Sequence, residues 1–274
     1  MTKRALLIGI NYHGTSDKLN GCINDVINMR KVLIERYQYL PENVVVLRDD
    51  SNDSQLKPTR ANIITNLRQL ISLSRDSSEI WIHYSGHGST TKDTNGDEKS
   101  GKDSVIVPLD YKTTGVIRDD TLLNLIRSSS CPTIAIFDSC NSGTICDLQW
   151  SFPCKIRKKR TIFKRIKNNK KWIPNRSIFS ISGSRDYQTS ADIYDNQFKA
   201  YGGAFTNALL QCMQNLNYNG NIFTLYSSTC KLLKTRGFSQ IPHLSASSPS
   251  PYFILNGKKR FYSQFSKQLS MIFH

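Results

Sequence analysis

The chain has 274 residues, 37 Lys and Arg against 21 Asp and Glu, a formal charge of +16 and 38% hydrophobic residues. That length and apolar content suit one large domain or two small ones with a real core, and no apolar run approaches the roughly 20 residues a membrane span requires. The seven cysteines (22, 131, 140, 146, 154, 212, 230) are odd in number and include no C-x-x-C pair, which speaks against a zinc ribbon and a disulfide framework.

Arg4–Asn11 (RALLIGIN) reads as a buried strand that begins too early to leave room for a secretory signal; with the cysteine usage, a cytoplasmic location is expected. Ile23, Val26, Ile27, Arg30, Leu33, Ile34 and Tyr37 follow at helical spacing up to Pro41. Asn43–Arg48 (NVVVLR) is a β-branched strand. Thr59 caps a helix carrying Ile63, Ile64, Leu67, Leu70 and Ile71. Glu79–Tyr84 (EIWIHY) and Thr133–Phe137 (TIAIF) are further strands, with a short helix near 119–128 between them. The pattern resumes with a strand at Ser177–Ser182, helices near Gly203–Met213 and Phe223–Leu233, and a strand at Tyr252–Leu255. Strict alternation of strand and helix predicts an α/β/α sandwich on a mostly parallel sheet, a single domain whose large and small portions share that sheet.

The charge is unevenly spread. Residues 151–176 hold eleven cations and no acid, and 257–274 hold four more, so fifteen of the sixteen excess charges lie in these two stretches. The rest is nearly neutral. The expected organisation is therefore a large portion over 1–150, a solvated basic linker over 151–176, a small portion over 177–256 and a basic tail over 257–274.

Two strands end in unusual text. EIWIHY runs into Ser85–Gly86–His87–Gly88, and TIAIF into Asp138–Ser139–Cys140–Asn141–Ser142–Gly143. Functional groups of a parallel sheet gather at the carboxyl ends of its strands. There a histidine can raise the thiolate fraction of a nearby cysteine and protonate a leaving amine, while backbone N–H groups hold an oxyanion. His87 and Cys140, separated by 53 residues, match the known caspase spacing of about 50. With KRALLIGINY (3–12), GCINDV (21–26), VPLDY (107–111), SGSRDYQTSAD (182–192) and QIPHLS (240–245), these boxes resemble the metacaspases, caspase-like cysteine proteases, in a type I-like arrangement without a prodomain.

The resemblance implies a caspase-like fold with p20-like and p10-like portions. His87 and Cys140 would form the catalytic dyad, with the Gly88 and Cys140 amides as the oxyanion site. Asp25 and Asp138, with Cys22 and Ser85 nearby, would line S1; two carboxylates there favour Arg or Lys at P1 and reject an acidic side chain. Asp103, Asp119, Asp120 and Asp147 match calcium-binding positions, and oxygen donors suit that ion. An Arg/Lys-cutting enzyme would find sites in its own basic segment, at Lys155, Arg157, Lys158, Lys159, Arg160, Lys164, Arg165, Lys167, Lys170 or Lys171. One departure stands beside the nucleophile, where Asn141 replaces the usual His. The expected partners are protein or peptide substrates, and the expected state is a monomer. Two competing readings remain open: a nucleic-acid or anionic-surface binder using the same cations with Phe163 and Trp172, and an inactive protease-like partner protein.

Overall fold

The computed structural model describes residues 2–93, 101–140, 145–146, 148–157, 160–168, 173–183, 192–195 and 200–257. The large portion runs β1 (Thr2–Gly9), α1 (Cys22–Glu35), β2 (Val44–Arg48), α2 (Arg60–Ser72), β3 (Ser77–Ser85), β4 (Gly88–Lys92), β5 (Lys102–Ile106), α3 (Tyr111–Thr114), β6 (Ile117–Arg118), α4 (Asp119–Ile126) and β7 (Thr133–Asp138). Four short strands follow: β8 (Trp150–Ser151), β9 (Cys154–Arg157), β10 (Arg160–Phe163) and β11 (Ile166–Lys167). The chain then forms β12 (Ile178–Ser182), β13 (Asp192–Asp195), β14 (Ala200–Gly203), α5 (Ala204–Asn215), β15 (Asn219–Asn221), α6 (Ile222–Thr235), β16 (His243–Ala246) and β17 (Ile254–Asn256).

The central sheet has eight strands in the order β11-β8-β16-β12-β7-β3-β1-β2. Neighbours from β2 to β12 pair in parallel, whereas β16, β8 and β11 add on antiparallel. The parallel strands are nearly continuous apolar runs because both their faces are covered. Ala5 and Leu7 point to one side with Val26, Met29, Phe205 and Leu209, while Leu6 and Ile8 point to the other with Ile63, Leu67 and Ile82. Helices α1, α5 and α6 pack on the first face, and α2 and α4 on the second. At the exit of β1 this packing leaves no room for a side chain: a Cβ on Gly9 would lie 2.6 Å from the Cys22 carbonyl oxygen.

Several expectations change. The first helix stops at Glu35, and Pro41 instead opens a 3-10 turn. The Thr59 cap forms as expected, its hydroxyl accepting from the Asn62 N–H at 3.2 Å. The late strand is Ile254–Asn256, and it pairs with β15 rather than joining the main sheet. The β4–β5 hairpin was not anticipated. The basic segment is not a solvated insert where it is described: β8 and β11 extend the sheet, β9 and β10 form a hairpin, and Phe152 and Cys154 enter the core. Phe152, Cys154 and Phe163 face inward while Lys155, Lys164, Arg165 and Lys167 are exposed, so the segment is amphipathic rather than uniformly polar.

Candidate active site

The order β2-β1-β3-β7-β12 reverses between β1 and β3, which opens a crevice at the carboxyl edge. Ser85 and Asp138 stand side by side as the last pair of the β3–β7 register. His87 and Cys140 each follow two residues later, both half-buried. The two boxes interlock through Gly88, where a Cβ would lie 2.1 Å from the Cys140 carbonyl oxygen. Any larger residue would push the histidine and cysteine loops apart.

His87 is held from three sides. Its Nε2 lies 2.6 Å from the Asp17 carbonyl oxygen, and since a carbonyl only accepts, Nε2 carries the proton and Nδ1 is left as the base. The Tyr12 ring lies 4.7 Å from the imidazole centroid to centroid. Tyr12 adopts φ 52°, a left-handed conformation that is costly for a bulky residue, and its hydroxyl accepts from the His87 N–H at 3.0 Å while donating to the Val107 carbonyl at 2.6 Å. Tyr84 donates to the His87 carbonyl at 2.7 Å. The Asp17 loop is itself anchored, because Tyr111 donates to the Asp17 carboxylate at 2.7 Å. That hydrogen bond lowers the Asp17 pKa.

A second group forms where α1, β3, β7 and β14 meet. Asp25, on the first turn of α1, is buried and accepts from Ser85 Oγ at 2.7 Å and from the Gly203 N–H at 3.0 and 3.1 Å. Asp138 Oδ2 accepts from both the N–H and the hydroxyl of Thr206, at 2.9 and 2.8 Å. A Cβ on Gly203 would lie 2.1 Å from Asp138 Oδ2 and 2.9 Å from Asp25 Oδ2, so the glycine is wedged between the two carboxylates. Cys22 caps this corner, its N–H donating to Asn11 Oδ1 at 3.0 Å and its thiol close to the Tyr12–Tyr84 pair. Asp25, Ser85, Asp138 and Cys22 thus come together as expected. Asp17, Tyr12, Gly203 and Thr206 join them unannounced; the paired glycines of YGGAFT (201–206) were the one textual hint.

Farther along the β4–β5 hairpin, carboxylate oxygens of Asp103, Asp119 and Asp120 lie within 4.8 Å of one another. Asp103 is 1% exposed; one oxygen pairs with Arg118, and the other, Oδ1, is buried with no hydrogen-bond partner among the described residues. Asp119 accepts from the Ser104 and Asp120 N–H groups at 2.9 and 2.8 Å. Asp147 lies outside the described residues. Of the basic segment, Lys155, Lys164, Arg165 and Lys167 are exposed, and Arg165 and Lys167 flank the Trp150 ring at 5.7 and 6.0 Å. Arg157 and Arg160 are opposite each other in the β9–β10 pairing, while Lys158, Lys159, Lys170, Lys171 and Trp172 lie outside the described residues. Phe163 faces inward, 4.4 Å from the Phe223 ring, so it does not serve as an exposed stacking platform.

The family model described as the metacaspase, peptidase C14 domain matches residues 3–149. The chain is 47% identical to Metacaspase-1 of Cryptococcus neoformans over 153 residues, covering 55% of this chain and 34% of that protein. It is 34% identical to Metacaspase-1 of Debaryomyces hansenii over 292 residues, covering 90% of this chain and 65% of the relative. The chain therefore spans between a third and two thirds of these relatives' lengths. Among solved structures, caspase-1 from Spodoptera frugiperda superposes with a TM-score of 0.62 at 13% identity, covering 94% of this chain and 92% of that one, which shows a common fold.

Proposed function

The chain belongs to the metacaspase, peptidase C14 family, and from that premise we propose that it is a cysteine endopeptidase cutting protein chains after arginine or lysine. The observation that carries the reading is the interlock of the two boxes: Gly88 packed on the Cys140 carbonyl, and His87 fixed through Nε2 so that Nδ1 is available as a base. The Cys140 sulfur attacks the P1 carbonyl carbon, and His87 takes the thiol proton and returns it to the leaving amine. Amides of Gly88 and Cys140 meet the developing oxyanion, and water then hydrolyses the thioester. Asp25 and Asp138, buried and net negative, select a guanidinium or ammonium side chain at P1.

The acidic cluster supports a calcium requirement. An all-oxygen donor set with a buried, unpartnered carboxylate oxygen suits a hard divalent cation. Bound there, the ion would offset the mutual repulsion of Asp103, Asp119 and Asp120. Self-processing follows from the P1 preference: the exposed Lys155 and Lys164 supply cleavable bonds, and in the sequence Lys158 and Lys159 add two more between Arg157 and Arg160.

Fluorogenic peptides with Arg, Lys or Asp at P1, assayed with calcium or chelator on wild type and Cys140→Ala, test the reading. Arg and Lys substrates should be cut by the wild type alone, faster with calcium, and the basic segment should be nicked only in the wild type. Turnover of the Asp peptide, or equal activity in Cys140→Ala, would refute it.

A further inference from the structure

Behind the two carboxylates is a buried histidine that the peptidase mechanism does not use. His83 sits on β3 with no exposed surface, and its Nε2 is 3.3 Å from the Thr206 hydroxyl oxygen. That hydroxyl is 2.8 Å from Asp138 Oδ2. An ionised carboxylate can only accept, so the hydroxyl proton must point at Asp138. The hydroxyl then presents a lone pair to His83, which requires the proton of the imidazole to be on Nε2. His83 Nδ1 is correspondingly the bare nitrogen, buried without a hydrogen-bond partner among the described residues.

We infer that His83 and Thr206 are specificity-determining positioning residues: His83 Nε2–H donates to the Thr206 hydroxyl, which donates to Asp138 and holds it ionised and oriented for a cationic P1 side chain. The inference rests on the P1 preference proposed above. Its physical need is plain. Asp25 and Asp138 oxygens both lie within 3 Å of the point a Gly203 Cβ would occupy, and two carboxylates so close repel each other unless donors compensate. Ser85 and the Gly203 N–H donate to Asp25, and Thr206 donates twice to Asp138 Oδ2. A lysine or arginine behind Asp138 would cancel its charge. Buried His83, whose pKa is lowered to about 3 by desolvation, directs the hydroxyl without adding a cation.

The test compares steady-state kinetics on peptides with P1 arginine and P1 citrulline, its uncharged isostere, for wild type, Thr206→Val, Thr206→Ser and His83→Phe. Hydrogen bonds to charged groups predict that Thr206→Val raises KM for the arginine peptide about tenfold or more. In the same variant kcat stays within about threefold of wild type, and the arginine-to-citrulline preference drops in parallel with the KM change. Thr206→Ser should restore wild-type values, and His83→Phe should raise KM by about threefold as the hydroxyl loses its orienting donor. Neither KM nor the preference ratio depends on the fraction of folded enzyme, so a destabilised variant still reports. If Thr206→Val cannot be prepared, Thr206→Ser against His83→Phe reads the same two quantities. Unchanged KM and preference in Thr206→Val and His83→Phe, or an equal loss of kcat on both peptides, would overturn the inference. A wild type that does not favour arginine over citrulline would instead fail the underlying P1 reading.

Discussion

Two acidic clusters in this protein are furnished in different ways. At the carboxyl edge, Asp25 and Asp138 receive donors from Ser85, Gly203 and Thr206, so each charge is stabilised before any ligand arrives. In the hairpin cluster, Asp103 keeps a buried oxygen that no group among the described residues addresses. Donors that point at a carboxylate fix its direction and suit a ligand with its own directional N–H groups, such as a guanidinium. A bare oxygen beside two further acids suits a spherical ion that takes several ligands at once. The number of acids alone would not have separated the two sites; the donors around them do.

Gly203→Ala is the harshest way to break the first cluster. Its Cβ would enter the space of Asp138 Oδ2, and displacement on that scale should cut kcat/KM for an arginine peptide by about 100-fold or more, read on the purified variant. Asp138→Asn, which keeps shape but removes charge, should cost about 30-fold on arginine and much less on citrulline, in the range of an unpaired charged contact. In the second cluster the informative variant is Asp120→Asn, since Asp103 also holds Arg118. Calcium at about 100 times its Kd adds about 2.7 kcal/mol to a protein that binds it only when folded, so wild-type Tm should rise by about 5 °C or more. Asp120→Asn should lose most of that rise while its Tm in chelator stays put. A further effect concerns pH. Folded His83 titrates near 3 against 6.5 for the free side chain, so below pH 6.5 the unfolded chain binds a proton that the folded one refuses. Stability that is full above pH 6.5 is therefore lost as pH falls toward 3, at about 1.4 kcal/mol per pH unit. His83→Phe should show a shallower slope over that window in urea titrations.

The fold was largely legible because strands buried on both faces are written as unbroken apolar runs, as in ALLI (5–8) and TIAIF (133–137). The β4–β5 hairpin was not: GSTTK (88–92) and KDSVI (102–106) are short, mostly polar on one side and separated by a polar stretch, so no period stands out. In 151–176 the eleven cations masked the inward positions of Phe152, Cys154 and Phe163. His87 and Cys140 could be read from local text. Thr206 and Gly203 could not, because their roles arise only when they meet Asp138 and Asp25 from 68 and 178 residues away.

The β9–β10 hairpin fixes what a cut in its connection would do. On one side Cys154 and Phe152 are rooted in the core; on the other Phe163 packs between Phe223 and Tyr226 of α6. A single nick between Arg157 and Arg160 would thus sever the polypeptide without parting the particle. The two fragments should co-elute as one species under native conditions and separate only in denaturant, each keeping its share of the eight-stranded sheet. A cut there would then create two new chain ends rather than release a subunit.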